Sequence, residues 1–365
     1  AQQPVVDAIA ERQPWADADH LWHTALDGAL RSPAFRMVRE GSTLSLTDTC
    51  RAAGMGNVEL TDVIEPNRVL EHYDAGATLV LQGLQHVDTA YARLSTNLAL
   101  DLDQPVQVNA YLSPADARGL DIHFDYHDVI VVQLAGSKRW RVWTALERTR
   151  RPVKDGSVAM PLIGELGDPL VDRVLRAGDC LAVPRGFPHA AETVDDESTH
   201  LTLGIMSLTW ERLLRRLLSR PTSGTALADR LAVASLDRGF DATEALAALG
   251  EMAGGDELRH VVAAEVWRRQ PRTRVRPRRA PPIEPADSLR VTPGALLWLR
   301  CVGDRVALEL GDRRVLMPAE AEAIVAAVLS SEGLFTADDV RGGLDLDSAM
   351  VVLRRLTREG VLAIA

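Results

Sequence analysis

Cysteines are scarce in this chain, and long apolar runs and an excess of positive charge are absent. The three cysteines, Cys50, Cys180 and Cys301, are odd in number and widely spaced, which argues against a disulfide framework or a cysteine-ligated zinc site. No apolar run approaches the roughly 18 residues that a membrane helix needs, and the first residues lack the basic-then-apolar pattern of a secretory signal. The net charge of −10 gives no support for direct nucleic-acid binding. These features predict a protein of the reducing cytoplasm that uses no membrane.

The length and composition predict several folded domains. A chain of 365 residues is too long for one small core, so two or three domains are expected. Its hydrophobic content of 46% and charged content of 25% are those of an ordinary soluble globular protein. The pattern predicts an α+β chain with a first domain over 1–212, a helical region with a linker over 213–285, and a third domain over 286–365.

Short strands dominate the segment 104–208. Before it, helices are expected near 18–30 and 91–100, flanking a strand near 77–81. Within it, seven strand-like runs with glycine and proline turns predict a β-sandwich or a β-barrel. These runs are VQVNAYL, IHFDYHD, VIVVQL, WRVW, CLAV, HAAETV and HLTLGIM.

The last third of the chain changes from helices to a small mixed module. A leucine stripe predicts helices over 209–267, and the seven arginines of 268–282 predict an extended linker. From 286 onward, two short strands around a Gly311-Asp312 turn, three helices and a last strand are typical of a winged helix, with Thr336 and Asp339 as a capping box. Nine arginines stand against twelve acidic residues from Asp287 to the end, which favours protein contact over binding to phosphate groups.

Three residues have the pattern of a metal site. His123 and Asp125 lie two apart in an alternating run of strand type, so both side chains are expected on one face. His189 follows the turn PRGFP after a short apolar strand. Two imidazoles and one carboxylate form the facial triad of non-haem iron(II), which leaves the opposite positions open for a co-substrate and O2. A lone HxD pair often arises by chance on a surface turn, and His127, on the same predicted face, could compete as a ligand.

A polar strand face and a lysine predict a pocket for an acid. In 106–112, Gln107, Asn109 and Tyr111 face one way and the apolar residues face the other. After a predicted turn at 135–137, Lys138 would point into the barrel, where a cation needs an anionic partner. A dicarboxylate could chelate iron at its keto-acid end and meet Lys138 and the Tyr111 hydroxyl at the other. The alternative is a solvated turn lysine.

These segments resemble the JmjC-type, cupin-like 2-oxoglutarate oxygenases of the ribosomal oxygenase group. The resemblance is close over about 60–215 and rests on GATLVLQGLQ, PVQVNAYLSP, the HxD pair, VVQLAGSKRWRVW, GDCLAVPRGFPHAAET and STHLTLGIMSLTW. It implies a double-stranded β-helix, followed by a helical dimerisation region and a C-terminal winged helix. It also implies hydroxylation of protein side chains, notably on ribosomal proteins, with Fe(II), 2-oxoglutarate and O2.

The resemblance implies a role for six residues. His123, Asp125 and His189 would bind iron, and Asn109, Tyr111 and Lys138 would contact 2-oxoglutarate, with Lys138 on the distal carboxylate. The chain departs from some members at Gly204, where they have a serine near the co-substrate. That difference removes one hydroxyl contact.

Two other functions fit the same residues. The site could hydroxylate a small molecule such as a free amino acid or a natural product, or the barrel could be a metal-stabilised part of a non-enzymatic regulator. Hydroxylation of an N-methyl carbon, which leads to demethylation, would use the same site. A protein substrate, ribosomal or similarly basic, is favoured, since a homodimer with a docking module suits a macromolecular surface. The charge of −10 would attract basic peptides.

Overall fold

The computed structural model divides into two compact units, Ala1–Ser207 and Leu208–Ala365. The division into three domains stays a prediction. The structure describes residues 3–8, 17–27, 30–117, 120–150, 159–219, 227, 243–254, 256–267, 280–292, 297–310 and 313–365.

A nine-stranded antiparallel sheet forms most of the first unit. Its strands follow the order β1-β10-β8-β11-β7-β6-β2-β3, and β9 pairs with the second half of β8. A separate hairpin consists of β4 and β5. The strands are β1 (Val5–Ala8), β2 (Phe35–Arg39), β3 (Ser42–Thr43), β4 (Cys50–Met55), β5 (Val58–Ile64), β6 (Thr78–Leu81), β7 (Val106–Ser113), β8 (Asp128–Val142), β9 (Val171–Arg176), β10 (Asp179–Val183) and β11 (His189–Ile205).

Helices cover one face of β6 and β7, and the opposite face lines a pocket. The helices are α1 (Ala18–Leu26), α2 (Leu46–Thr49), α3 (Pro66–Asp74) and α4 (Thr89–Leu102). The predicted alternation of β7 is confirmed, because Val108, Ala110 and Leu112 are fully buried in the core beneath these helices. Asn109 and Tyr111 point to the other side, into the pocket.

The predicted turn at 135–137 is wrong. β8 runs through it as one strand of 15 residues, paired along its length with the 17-residue β11. The register shifts between Thr193 and Ser198, and Gly136, with φ +63°, adopts the left-handed conformation there. The glycine therefore accommodates a β-bulge inside a long strand, a common use of this residue in sheets.

The predicted strand at 121–127 is also wrong. These residues form no ladder, and their one β contact is an isolated antiparallel bridge between His123 and His189. The alternation of polar and apolar side chains reflects which residues face the pocket. Because no neighbouring strand pairs with this segment, the alternation does not lead to a β-strand.

The second unit contains helices and two small sheets. Its elements are α5 (Trp210–Leu218), α6 (Thr243–Gly254), α7 (Asp256–Trp267), β12 (Leu289–Val291), β13 (Trp298–Val302), β14 (Arg305–Glu309), β15 (Arg314–Pro318), α8 (Glu322–Ser330), α9 (Ala337–Val340), α10 (Leu346–Arg358) and β16 (Leu362–Ile364). The sheets are β13-β14-β15 and β12-β16.

The second unit contains the leucine stripe and the capping box that the sequence predicts. The leucine stripe is confirmed, since Leu213 and Leu217 are buried in one cluster with Val261 of α7. The capping box is confirmed, because the Asp339 carboxylate accepts hydrogen bonds from the backbone N–H and the hydroxyl of Thr336. Most of the arginine-rich segment and the turn at 311–312 lie outside the described residues. In the part of the chain that the structure describes, no helix has both the length and the apolar character to cross a bilayer.

Candidate active site

A two-residue backbone bridge holds the candidate metal ligands together. The backbone N–H of His123 donates to the carbonyl of His189 at 3.1 Å, and the N–H of His189 donates back at 2.8 Å. The two imidazole rings therefore lie side by side, with centroids 4.3 Å apart. Asp125 is held by a hydrogen bond from the Gly186 N–H to its carbonyl. This bond ties it to the turn that precedes His189.

The hydrogen bonds of the two histidines leave the same ring nitrogen facing the pocket. Nδ1 of His123 lies 2.7 Å from the Asp121 carbonyl, and Nδ1 of His189 lies 3.0 Å from the Phe187 carbonyl. A carbonyl only accepts, so each Nδ1 carries the proton and each Nε2 keeps its lone pair. Burial, with a further contribution from His123, lowers the pKa of His189 to about 4, so this ring is neutral at pH 7. Neutral imidazole is the form that binds a metal.

The geometry fits one small ion. One ligand atom from each of His123, Asp125 and His189 lies within 4.8 Å of the others. Two imidazoles and one carboxylate are the donor set of non-haem iron(II) sites. His127 is outside this group, although it lines the same pocket.

A buried lysine lies in the same pocket without an acid beside it. Lys138 is 2% exposed, and its Nζ donates to the Ser113 hydroxyl at 2.8 Å. Among the described residues no carboxylate pairs with it, and burial lowers its pKa to about 7. A buried ammonium group without a counter-charge is costly. A carboxylate in the pocket would remove that cost, so the residues fit the expected dicarboxylate.

Aromatic rings connect the lysine to the metal ligands. His200 stacks on Tyr111 with centroids 4.8 Å apart, and Trp140 meets His200 edge-on at 5.4 Å. Trp140 also lies along His189, at 6.1 Å between centroids. His200 Nδ1 and Trp140 Nε1 are buried and have no hydrogen-bond partner among the residues that the structure describes. Both atoms could bond to a polar molecule in the pocket.

Tyr111 and Asn109 are held in place from the neighbouring strands. Burial, more than the Asp125 charge, raises the pKa of the Tyr111 hydroxyl, and the nearby Arg36 and Thr202 oppose that shift. The Asn109 side-chain oxygen accepts from the Gly83 N–H at 2.9 Å and from Gln107 Nε2 at 3.0 Å. These contacts use the oxygen, so the amide nitrogen of Asn109 is the atom that can donate to a ligand.

The structure brings all six expected residues, His123, Asp125, His189, Asn109, Tyr111 and Lys138, to one pocket. Their roles toward iron and 2-oxoglutarate stay a prediction. The two neighbouring cations face away from it, because Arg139 makes two 2.7 Å bonds to Asp172 and Arg141 pairs with Glu192.

The sequence analysis did not predict part of the pocket wall. Ser113, which holds Lys138, continues the polar face of β7 and could have been found by extending the alternation one step. Val38, Thr78 and Val80 come from β2 and β6, where Val80 pairs with Tyr111 and Val38 pairs with Thr78. No local pattern in the sequence signals that pairing.

Comparisons with known proteins match the segment that contains this site. Residues 80–213 match the family model of the JmjC domain. The human protein named ribosomal oxygenase 1 is 34% identical over 151 residues, which are 40% of this chain and 23% of that protein. A Dictyostelium discoideum protein named bifunctional lysine-specific demethylase and histidyl-hydroxylase NO66 is 32% identical over 157 residues, 42% of this chain and 30% of that protein. The matched segment thus spans less than a third of these relatives.

Solved structures extend the likeness to the whole chain. The X-ray structure of Escherichia coli YcfD has a TM-score of 0.55 and 19% identity, covering 100% of this chain and 95% of that one. The structure of YcfD, a ribosomal oxygenase, in complex with cobalt and 2-oxoglutarate has a TM-score of 0.53 and 17% identity, covering 99% and 94%. The expected resemblance is confirmed, and the chain has a JmjC, cupin-like fold of mixed α and β content.

Proposed function

We propose that this chain is an Fe(II)- and 2-oxoglutarate-dependent oxygenase that hydroxylates a protein side chain. One observation carries the proposal: a His–Asp–His group and a buried lysine without a carboxylate partner face the same pocket. The first matches the ligands of non-haem iron, and the second matches the free end of a dicarboxylate.

The residues of the chain have distinct roles in this reaction. His123, Asp125 and His189 would hold iron(II), and Lys138 would bind the distal carboxylate, with Asn109 and Tyr111 orienting the rest of 2-oxoglutarate. Bound iron, with O2 and 2-oxoglutarate, supplies the oxidising power that turns a C–H bond into C–OH while 2-oxoglutarate becomes succinate and CO2. The apolar and aromatic wall excludes water from the reacting atoms.

A protein substrate, ribosomal or otherwise basic, is part of the proposal. The matched relatives include proteins named ribosomal oxygenase and histidyl-hydroxylase. The net charge of −10 creates a field that attracts basic peptides and speeds their encounter. We propose further that the chain forms a homodimer through the helices between Thr209 and Trp267 and that 286–365 is a winged helix that docks the substrate.

The metal ligands provide the test of the reaction. Purified protein should bind Mn(II) and should convert 2-oxoglutarate with Fe(II) and O2. His189→Ala should lose both properties, because a site with two ligands left holds iron weakly. His23→Ala is the matched control, since that imidazole is exposed and pairs with Asp27 on the same helix end, away from the pocket residues. Full 2-oxoglutarate turnover in His189→Ala would contradict the assignment.

The substrate class needs its own experiment. Ribosomal proteins incubated with the enzyme should gain one oxygen atom, detected by mass spectrometry, only when 2-oxoglutarate is present. Removal of residues 286–365 should reduce turnover of an intact protein more than turnover of a short peptide. Oxidation of free amino acids or small metabolites alone would favour the small-molecule reaction, and no 2-oxoglutarate turnover at all would favour a regulator.

A further inference from the structure

Gly204 leaves a space that an imidazole fills. It follows Thr202 by two residues on β11, on the side that faces the pocket. A Cβ atom built at Gly204 would lie 2.8 Å from both Cδ2 and Nε2 of His127. The backbone of Gly204 is outside the left-handed region, so the chain conformation there does not require glycine. The imidazole of His127 occupies the space that a side chain at position 204 would take.

His127 stands beside the metal ligands without belonging to them. It directly precedes β8, lines the pocket together with His123, Asp125 and His189, and is partly exposed. Val129, another lining residue, pairs directly with Gly204 across β8 and β11. The ring therefore adds a planar, polar surface to the pocket that contains the metal ligands.

We propose that His127 and Gly204 act as a matched pair that determines which substrate side chain is accepted. The proposal rests on the proposed oxygenase function. The bare Gly204 backbone leaves room for the imidazole against β11, and the imidazole stacks on a planar polar group of the substrate. A branched aliphatic side chain would remove water from the imidazole without replacing its hydrogen bonds. His127 thus selects the substrate, while His123, Asp125 and His189 hold the metal.

The pairing can be tested without any substrate. Gly204→Ala should lower Tm by about 2–4 °C, because the methyl group and the imidazole compete for one space. In a His127→Ala background the same change should cost less than about 1 °C, since the ring is gone. Gly54→Ala is the matched control, a strand glycine with nothing within 4 Å of the added carbon. Equal losses of Tm in the two backgrounds would show that the two residues do not compete.

Recognition is tested with five fluorescent peptides. They share basic flanks and differ only in a central His, Arg, Asn, Leu or Val, and their binding to the Mn(II)-loaded protein is followed by fluorescence anisotropy. The wild type should bind the three planar polar centres at least threefold more tightly than the two aliphatic ones. His127→Val and Gly204→Ala should each abolish that preference, and Gly54→Ala should keep it.

The outcomes separate this proposal from the proposed function. A preference that survives in His127→Val, or a wild type that shows none or binds no peptide, overturns the recognition by His127. A wild type that fails to turn over 2-oxoglutarate overturns the oxygenase function instead. The Tm comparison still decides the pairing in that case.

Discussion

At the scale of single residues, Lys138 links the fold to the co-substrate. The Lys138 ammonium group donates a hydrogen bond to the Ser113 hydroxyl. Among the described residues, no acid neutralises its charge. The ordinary alternative for a lysine beside a glycine, a solvated turn, does not apply, since Lys138 is 2% exposed. A carboxylate bound in the pocket would supply the counter-charge that the buried lysine needs.

Lys138→Met should weaken 2-oxoglutarate binding at least tenfold, about 1.4 kcal/mol or more, because a charge-assisted hydrogen bond is lost. Mn(II) binding, measured by calorimetry, should be retained. Arg139→Met is the matched control, since the adjacent arginine binds Asp172 on the outer face. Unchanged affinity in Lys138→Met would mean that another group holds the distal carboxylate.

The same lysine predicts a pH dependence of stability in the absence of 2-oxoglutarate. Its pKa in the folded protein is about 7, below the roughly 10.4 of an unfolded lysine. Between these values the unfolded chain binds a proton that the folded protein does not, so this group makes the free energy of unfolding rise with pH. That gain is complete above the unfolded pKa and is lost as the pH falls toward 7.

Urea unfolding at pH 7 and pH 9.5 provides the measurement. Lys138→Met should have a smaller rise in stability between the two pH values than the wild type has, and Arg139→Met should behave as the wild type does. If Lys138→Met and the wild type respond equally to pH, the lysine is solvated or already paired in solution.

At the scale of secondary-structure elements, the bulge in β11 opposite Ser137 of β8 positions Lys138. Thr193 pairs with Lys138 and Ser198 pairs with Gly136, so β11 inserts extra residues opposite a single residue of β8. The Ser137 hydroxyl donates to the Val194 carbonyl at 2.8 Å and ties the inserted loop to the strand. The bulge therefore sets which face Lys138 occupies.

Gly136→Ala should strongly destabilise the first unit. The residue has φ +63°, and an added Cβ would lie 1.8 Å from the Glu197 carbonyl oxygen. We expect a loss of about 3 kcal/mol or more, from left-handed strain together with the clash against backbone. Chemical denaturation followed by circular dichroism measures this loss.

Gly56→Ala separates the two causes. It has a similar φ of +59° with nothing within 4 Å of the added carbon, so strain alone should cost about 1–2 kcal/mol. Similar losses for the two variants would mean that the bulge rearranges easily and does not fix the position of Lys138.

At the scale of the whole molecule, we predict a homodimer. Helix α5 buries Leu213 and Leu217 within its own unit, yet Trp210 is 69% exposed and Leu218 is 45% exposed. Exposed large apolar side chains on one helix are typical of a contact surface. Light scattering at micromolar concentration should give twice the chain mass of 39.8 kDa.

Trp210→Ser should shift that equilibrium toward the monomer. Leu162→Ser is the control, because it removes a side chain of similar exposure, 71%, from the first unit. A monomeric mass for the wild type would refute the dimer. If Trp210→Ser and Leu162→Ser both dissociate the dimer, the contact surface cannot be assigned to α5.

The sequence by itself determined the local features of this protein. The alternation of β7 separated core residues from pocket residues, the turn before His189 marked a ligand, and Thr336 with Asp339 marked the start of a helix. Alternation and turns also indicated His123, Asp125, Tyr111 and Lys138, whereas the role of Asn109 was implied by the family resemblance. These features depend on neighbours two to four positions apart, so the period of the side chains and the geometry of short turns are enough to predict them.

Only the tertiary structure decided what brings these parts together. The bridge between His123 and His189, the wall from β2 and β6, the burial of Lys138 and the contact of His127 with Gly204 all depend on strand register between distant segments. The same reason explains the two wrong predictions. The segment 121–127 alternates like a strand but has no partner to pair with, and Gly136 fits a turn or a bulge equally well until β11 lies beside it.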